Sequence, residues 1–192
     1  MTHPENHPYE IFFPDKTQSL IIGTFPCIDF TQRNYGHWFY STNNKNLLWT
    51  ILSTVLTSSV IDRQEKEKLL STYNFGMADI AQVIQRTNQT CADTDFKIIE
   101  PNRKLLTLIA DNINLVLYFT SKTAQKLTND FYFENFKSKI CNIQINLPSP
   151  SKSASRSIAR TDDYKRYKNL NATSNTMTYR IEKYSELLKN KL

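Results

Sequence analysis

The sequence has few of the residues on which most enzyme classes depend. Of its 192 residues, three are glycine, three are cysteine and three are histidine. It contains no G-x-S-x-G, G-x-x-x-x-G-K-[ST], G-x-G-x-x-G or H-E-x-x-H pattern. The usual signatures of α/β-hydrolases, phosphate-binding loops, dinucleotide folds and zinc proteases are therefore absent. A Ser–His–Asp triad would have to use His37, because His3 and His7 fall in a terminal segment that we expect to be mobile.

The three cysteines, Cys27, Cys91 and Cys141, are far apart and odd in number. They match no metal-ligand spacing and no disulfide framework, and three thiolates cannot complete a four-cysteine iron–sulfur site. We therefore expect no metal and a reducing, cytoplasmic location. Cys27 directly follows an apolar run and a turn, a position that is more typical of packing than of a nucleophile.

Long hydrophobic runs are also missing. No segment approaches the roughly 18 consecutive apolar residues of a membrane span, and the first residues, MTHPENHPYE, lack the charged start and apolar core of a secretion signal. A hydrophobic content of 40% and an aromatic content of 12% exclude a disordered composition. The length predicts a single domain over 1–192, with a partly flexible segment at 1–17 and a basic helical region at 161–192.

Positive charge is concentrated in one half of the chain. Residues 1–96 hold 7 Lys and Arg against 10 Asp and Glu, a net charge of −3, whereas residues 97–192 hold 17 against 8, a net charge of +9. This asymmetry is typical of a basic face that binds a polyanion. An ordinary solvated surface explains the charge equally well, so both interpretations stay open.

Apolar runs and helical periodicity alternate along the chain. Buried strands are predicted at SLIIG (19–23), at NLVLYFTS (114–121) and at the start of CNIQINLPSPS. A short helix is predicted after Asp79 in NFGMADIAQVIQRT. Five further helices are predicted: NKNLLWTILSTVL with Asn44 as N-cap, DRQEKEKLLSTY, NRKLLTLIADN, SKTAQKLTNDF capped by Ser121, and TSNTMTYRIEKYSELLKNKL. The alternation predicts an α/β fold with a parallel sheet covered on both sides.

Two of the predicted strands end in turns that contain proline. GTFPC follows the first strand, and LPSPS follows the last. Because ligands of parallel sheets bind at the carboxyl ends of the strands, we expect the two turns to form the walls of one cleft. Glycine allows another group to approach the backbone closely, which accounts for Gly23 at the end of the first run.

The stretch YGHWFYSTNNKNLLW, behind the first turn, combines aromatic and amide side chains. Trp38, Phe39 and Tyr40 could supply stacking planes, and asparagines such as Asn46 both donate and accept hydrogen bonds. Such a set suits a planar heterocycle with mixed donors and acceptors, for example a nucleobase. The alternative is structural: the aromatic residues belong to the core and the asparagines to a helix cap.

Five stretches together resemble the uracil-DNA glycosylase superfamily, most closely its mismatch-specific and hypoxanthine-removing branches. They span most of residues 19–155 in the order of the family: IIGTFPC, FYSTNNKNLLWTIL, GMADIAQVIQRT, LVLYFTSKTA and LPSPSKSA. The resemblance implies an α/β fold, a three-layer α/β/α sandwich with a central four-stranded, mainly parallel sheet. It also implies a monofunctional DNA glycosylase, with no cofactor, that flips out a deaminated base such as uracil or hypoxanthine and hydrolyses its N-glycosidic bond.

The resemblance also assigns roles to residues. Asn46 matches the asparagine that positions the attacking water or contacts the flipped base, which makes it the catalytic candidate. The N–H groups of Thr24 and Phe25 would stabilise the leaving base, and Phe39 or Tyr40 would stack on it. Asp79 matches an aspartate of the pocket floor, for which a structural role is the more typical one. The implied base pocket comprises Gly23, Thr24, Phe25, Pro26, Phe39, Tyr40 and Asp79.

DNA that contains a deaminated base is the implied partner, and a monomer with no membrane association is the default for the class. The turn after the last strand would enter the minor groove, while basic residues that follow it would contact phosphates. The implied DNA-binding residues are Leu147, Pro148, Ser149, Pro150, Ser151, Lys152, Arg156 and Arg160.

The chain departs from the family at several positions. Phe25 stands where the classical uracil branch has a water-activating aspartate, and Leu147 where it has a histidine; both are shared with the hypoxanthine branch. Cys27 replaces a glycine and Ser41 a second aromatic residue, which leaves the shape of the pocket and its substrate open. A glycosylase fold that binds nucleic acid or nucleotides without releasing a base therefore remains an alternative. His37 fits either a proton donor or an ordinary loop histidine.

Overall fold

The computed structural model describes residues 3–31, 38–40, 46–88 and 90–189. In chain order the elements are β1 (Glu5–Asn6), β2 (Ser19–Gly23), α1 (Ile28–Thr31), α2 (Leu48–Val55), α3 (Arg63–Thr72), β3 (Phe75–Asp79), β4 (Ala81–Arg86), β5 (Phe96–Pro101), α4 (Arg103–Asp111), β6 (Val116–Phe119), α5 (Lys122–Phe136), β7 (Ile143–Asn146), α6 (Ser155–Ala159), α7 (Asp162–Leu170) and α8 (Thr176–Lys189). Within these residues, no helix is both long enough and apolar enough to cross a membrane.

Four parallel strands form the central sheet, in the order β3-β2-β6-β7. Strand β2 pairs with β3 on one side and with β6 on the other, so that Ile21 lies opposite both Met77 and Tyr118. Every residue of β2 and of β6 is buried, as expected for strands that are covered on both faces. The three strands predicted from apolar runs are confirmed.

Helices cover both faces of this sheet. Ile21 faces α2, α3 and α8 through a core that includes Leu52, Leu70 and Tyr184. The neighbouring Leu20 and Ile22 face the opposite way, toward α4 and α5, because successive side chains of a strand point to opposite faces. The structure is therefore the predicted α/β/α sandwich.

The helix caps follow from short polar side chains. Asp62 caps α3 in a reciprocal pair with Glu65, and the side chains of Asn102 and Ser121 accept the N–H groups of Leu105 and Ala124 at the starts of α4 and α5. Ser121 confirms the predicted cap. The predicted cap Asn44 lies outside the described residues.

The short helix predicted after Asp79 was wrong. Residues 81–86 form β4, which pairs antiparallel with β1 and with β5 in a second, three-stranded sheet. Ile80, Val83 and Ile84 have helix-like spacing, but β4 has two strand partners that are distant in sequence. Pairing with both partners outweighs the local pattern.

The N-terminal segment also differs from expectation. Glu5 and Asn6 pair with β4, and Phe12 exchanges backbone hydrogen bonds with Met77 at 2.8 and 2.9 Å. The imidazole of His7 is 2% exposed. The expectation that His7 belongs to a mobile terminus was therefore wrong, and this histidine lies inside the fold.

Candidate functional site

A cavity of about 240 Å³ lies at the carboxyl ends of the parallel strands. The turn after β2, residues Thr120 and Ser121 after β6, and the Pro/Ser turn (147–151) after β7 all contribute to its wall. Tyr40, Asn46, the segment 91–94, Ser153 and Ala154 complete the lining. Sites for drug-sized ligands usually measure roughly 300–1,000 Å³, so this cavity suits a small planar group better than a whole nucleotide.

Asn46 lies between the start of α2 and the Pro/Ser turn. Its Oδ1 accepts the Leu48 N–H at 2.9 Å, and the next residue, Leu47, donates its N–H to the Pro150 carbonyl at 2.8 Å. Asn46 also forms an isolated bridge with Ser151. The structure thus brings the catalytic candidate of the sequence to the same cavity as Thr24 and the Pro/Ser turn.

The GTFPC turn is fixed through its carbonyl groups. The Gly23 and Thr24 carbonyls accept the N–H groups of Ile80 and Ala81 at 3.0 and 3.1 Å, and the Pro26 carbonyl accepts Arg86 Nη2 at 2.8 Å. In the described part of the chain, the N–H groups of Thr24 and Phe25 have no acceptor. The turn therefore offers two main-chain donors beside the cavity.

The side chains that pack against Gly23 leave no space for a Cβ atom at this position. A Cβ at this position would lie 2.9 Å from Tyr40 Cζ and would overlap Tyr40 Oη and Asp79 Oδ1. The Tyr40 hydroxyl donates to Asp79 Oδ1, and these two groups pack directly over the glycine. The close approach to the backbone that was expected at Gly23 is therefore made by the side chains of Tyr40 and Asp79.

Asp79 is buried and links three parts of the chain. His7 Nε2 lies 2.9 Å from Asp79 Oδ2, and its Nδ1 lies 2.8 Å from the Tyr9 carbonyl oxygen and 3.1 Å from the Tyr9 nitrogen. The Asp79 carbonyl accepts Asn102 Nδ2 at 3.1 Å. Asp79 does not line the cavity; it holds Tyr40, which does.

The two aromatic candidates occupy different places. Tyr40 lines the cavity with a φ of 53°, in the left-handed region that bulky residues seldom adopt. Burial, followed by the negative charge of Asp79, raises the pKa of the Tyr40 hydroxyl, which keeps it a proton donor. Phe39 packs in the core against Trp38 and Tyr9 and is 1% exposed, so its assignment to the base pocket is corrected.

Arg86 is a residue that sequence reasoning missed. It is 2% exposed and donates to the Glu5 carboxylate at 3.1 Å, to the Thr90 carbonyl at 3.1 Å and to the Pro26 carbonyl at 2.8 Å. Its guanidinium lies over the ring of Phe25, 5.8 Å from the centroid. One arginine thus joins the GTFPC turn to Thr90, which directly precedes the cavity-lining segment 91–94.

Cys27 and Cys91 form a disulfide, with their Cα atoms 4.5 Å apart. The prediction that the cysteines form no disulfide was therefore wrong; the two residues are separated by 64 positions, and only the fold brings them together. The carboxylate of Asp29 lies near the two sulfurs, within 4.8 Å. A metal ion at this cluster would require reduction of the disulfide.

Asp93 lies two residues after Cys91 and was not singled out from the sequence. It lines the cavity, and its Oδ1 accepts the Thr24 hydroxyl at 2.7 Å. Burial raises the pKa of its carboxyl group, the Thr24 hydrogen bond lowers it, and Asp79 raises it further. No local pattern marks this residue, because it stands in a connection between β4 and β5.

The Pro/Ser turn is held by Arg180 of α8, which is fully buried. Its guanidinium donates to the carbonyls of Ser149 and Ser151 at 2.7 and 2.8 Å. Ser149, Pro150 and Ser151 line the cavity. Leu147 instead belongs to the core and is 3% exposed, which corrects its assignment to the DNA-contacting set.

The basic residues after the turn fall into two groups. Lys152, Arg156 and Arg160 are exposed, and no ion pair is formed by them within the described residues. Lys165 and Arg166 on α7, by contrast, pair with Asp162 and Asp163 at 3.2 and 2.8 Å. These three unpaired cations lie close in sequence to Ser153 and Ala154, which line the cavity.

His37 and Ser41 lie outside the described residues. Pro26 and Pro148 do not line the cavity; Pro26 supports it through the bond from Arg86.

Comparison with known proteins identifies the fold. No family model matches the chain, and no curated protein does. Among solved structures, the solution structure of a proposed uracil-DNA glycosylase from Methanosarcina acetivorans matches with a TM-score of 0.57 and 15% sequence identity. The match covers 88% of this chain and 96% of the other. The chain therefore has the fold of that protein.

Proposed function

We propose that this protein is a monofunctional DNA glycosylase that removes uracil or hypoxanthine, as in the hypoxanthine branch of the superfamily. The observation that carries the proposal is that Asn46, Thr24 and Phe25 line one cavity of about 240 Å³, and that the main-chain N–H groups of Thr24 and Phe25 have no acceptor among the described residues. Cleavage of an N-glycosidic bond leaves negative charge on the base, and fixed N–H donors stabilise such a charge. The Asn46 amide orients the base or the attacking water.

The surroundings fit a flipped base. Tyr40 supplies an aromatic wall, and the free cations Lys152, Arg156 and Arg160 follow the turn that borders the cavity. Phosphate contacts would hold the duplex, while the cost of extruding the base, a few kcal/mol, is smallest for a mispaired one. All groups that the proposal uses lie in one chain, so a monomer suffices.

Base release tests the proposal. Single- and double-stranded oligonucleotides that carry uracil, hypoxanthine or xanthine are incubated with the protein and cleaved with alkali at abasic sites. We expect breaks at uracil or hypoxanthine, and a rate about 100-fold lower for Asn46→Ala. Asn46→Ser keeps an acceptor for the Leu48 N–H and should be equally slow, whereas Asn171→Ala, outside the cavity, should match the wild type.

DNA binding without breaks at any lesion would favour the alternative, a binding module of the same fold. The disulfide beside the cavity, where relatives carry a glycine, is the feature that favours that alternative. Retained activity in both Asn46 variants would exclude the assigned role of Asn46.

A further inference from the structure

Hydrolysis of an N-glycosidic bond releases a proton from the attacking water, and a base positioned beside that water accelerates the reaction by accepting it. An amide such as that of Asn46 has no basic site at neutral pH and can only orient the water. The Tyr40 hydroxyl donates to Asp79 and the two cavity sulfurs form a disulfide. Among the described residues that line the cavity, Asp93 is the one that carries a carboxylate.

We propose that Asp93 is the general base of this site, a catalytic residue that accepts a proton from the water as it attacks the sugar. The inference rests on the proposed glycosylase function and extends it to a residue outside the five stretches that resemble the family. Asp93 and Asn46 both line the same cavity, although they come from segments far apart in the chain. The amide orients the water, and the carboxylate receives its proton.

Asp93 is held in place by three links. The Thr24 hydroxyl donates to its Oδ1 at 2.7 Å, which leaves Oδ2 without a partner among the described residues. The disulfide fixes Cys91, two residues upstream, to the GTFPC turn. Arg86 donates to the Thr90 carbonyl at 3.1 Å on the same connection. A base that is fixed in this way loses little entropy when the substrate binds.

The charged and titratable groups near Asp93 set its proton affinity. Asp79 comes from β3, Arg86 from β4, and Tyr40 from the aromatic segment 38–40. Burial and Asp79 raise the pKa of Asp93, while the Thr24 hydrogen bond and Arg86 lower it, and the balance is a raised pKa. A carboxylate whose pKa is raised toward the working pH is a stronger base and still ionised.

In the reaction step, the water oxygen forms a bond to the anomeric carbon of the sugar. The N-glycosidic bond breaks and its electron pair leaves with the base, whose anion is stabilised by the Thr24 and Phe25 N–H groups. One water proton passes to an Asp93 oxygen and then to solvent or to the departing base. The step uses water alone as co-reactant.

Single-turnover base release from uracil and hypoxanthine oligonucleotides, measured between pH 4 and 9, tests the inference. For the wild type we expect the rate to fall at acid pH, as Asp93 is protonated. Asp93→Asn should be slower by about 100-fold or more and should lose this acid limb. The matched control is Asp95→Asn, which removes the same charge from the same turn, outside the cavity, and should stay within about twofold of the wild type.

Thr24→Val provides a second measurement that does not depend on the folding of Asp93→Asn. Loss of the hydroxyl that stabilises the ionised carboxylate should move the acid limb to higher pH. Base release by Asp93→Asn at the wild-type rate and pH profile, or an unmoved limb in Thr24→Val, would overturn the Asp93 assignment alone. Absence of base release by the wild type on every lesion would overturn the glycosylase function, and the Asp93 assignment with it.

Discussion

The two walls of the cavity are built in different ways. The buried wall consists of the GTFPC turn with Tyr40, Asp79 and His7 behind it, and its links are hydrogen bonds between buried side chains. The basic wall is the Pro/Ser turn, which the exposed residues Lys152, Arg156 and Arg160 follow in the chain without lining the cavity themselves. Its turn is held by one buried guanidinium, Arg180, that donates to main-chain carbonyls.

Because the two walls are built differently, we expect substitutions in them to have different consequences. A buried polar network tolerates little change, because each group that loses its partner bears the full cost of burial. Exposed cations can vary at little cost in stability, yet they change the attraction to a polyanion. We therefore expect changes in the buried wall to affect folding and changes in the basic wall to affect DNA binding.

The largest effect is expected at Gly23. In Gly23→Ala the new methyl group would overlap Tyr40 Oη and Asp79 Oδ1, so the free energy of unfolding should fall by about 3 kcal/mol, as overpacked cores show. Urea denaturation followed by circular dichroism measures this. In the double variant Gly23→Ala/Tyr40→Phe, loss of the hydroxyl should recover part of the stability. A Gly23→Ala protein as stable as the wild type would contradict the packing of Tyr40 over the glycine.

A smaller effect is expected at Arg180. Arg180→Leu leaves the Ser149 and Ser151 carbonyls without their donors, which should lower the free energy of unfolding by about 2 kcal/mol and slow base release. Arg180→Lys should be intermediate, because an ammonium group does not reproduce the planar fork. The control is Lys183→Leu on the same helix, whose exposed pair with Glu186 contributes little. Equal losses in Arg180→Leu and Lys183→Leu would refute the role given to Arg180.

The smallest change in stability, but a clear change in binding, is expected on the basic wall. Arg156→Gln/Arg160→Gln should leave stability within about 0.5 kcal/mol and reduce the slope of log K against log salt by roughly 2, about one per lost phosphate contact. The control, Lys165→Gln/Arg166→Gln, removes cations that already pair with Asp162 and Asp163. A salt slope that is the same in both double variants and the wild type would place the DNA face elsewhere.

Local sequence patterns predict the central sheet and most of the helices. Continuous apolar runs such as 19–23 identify strands buried on both faces, and Ser121 marks the start of α5, because these signals are local and agree with the final packing. The order of the strand exits also indicated that Thr24, Asn46 and Ser149 meet, and the structure brings them to one cavity. Their chemical roles stay predictions.

Contacts between residues that are distant in the chain follow from the folded structure and not from local patterns. The strand at 81–86, the disulfide of Cys27 with Cys91 and the burial of His7 all depend on partners far along the chain. The same holds for Asp93, which reaches the cavity because Thr24, 69 positions away, donates to it. Local patterns carry no information on such contacts. A disulfide, a strand pair or a buried ion pair joins two segments that are far apart in the chain, and a local pattern describes only one segment at a time.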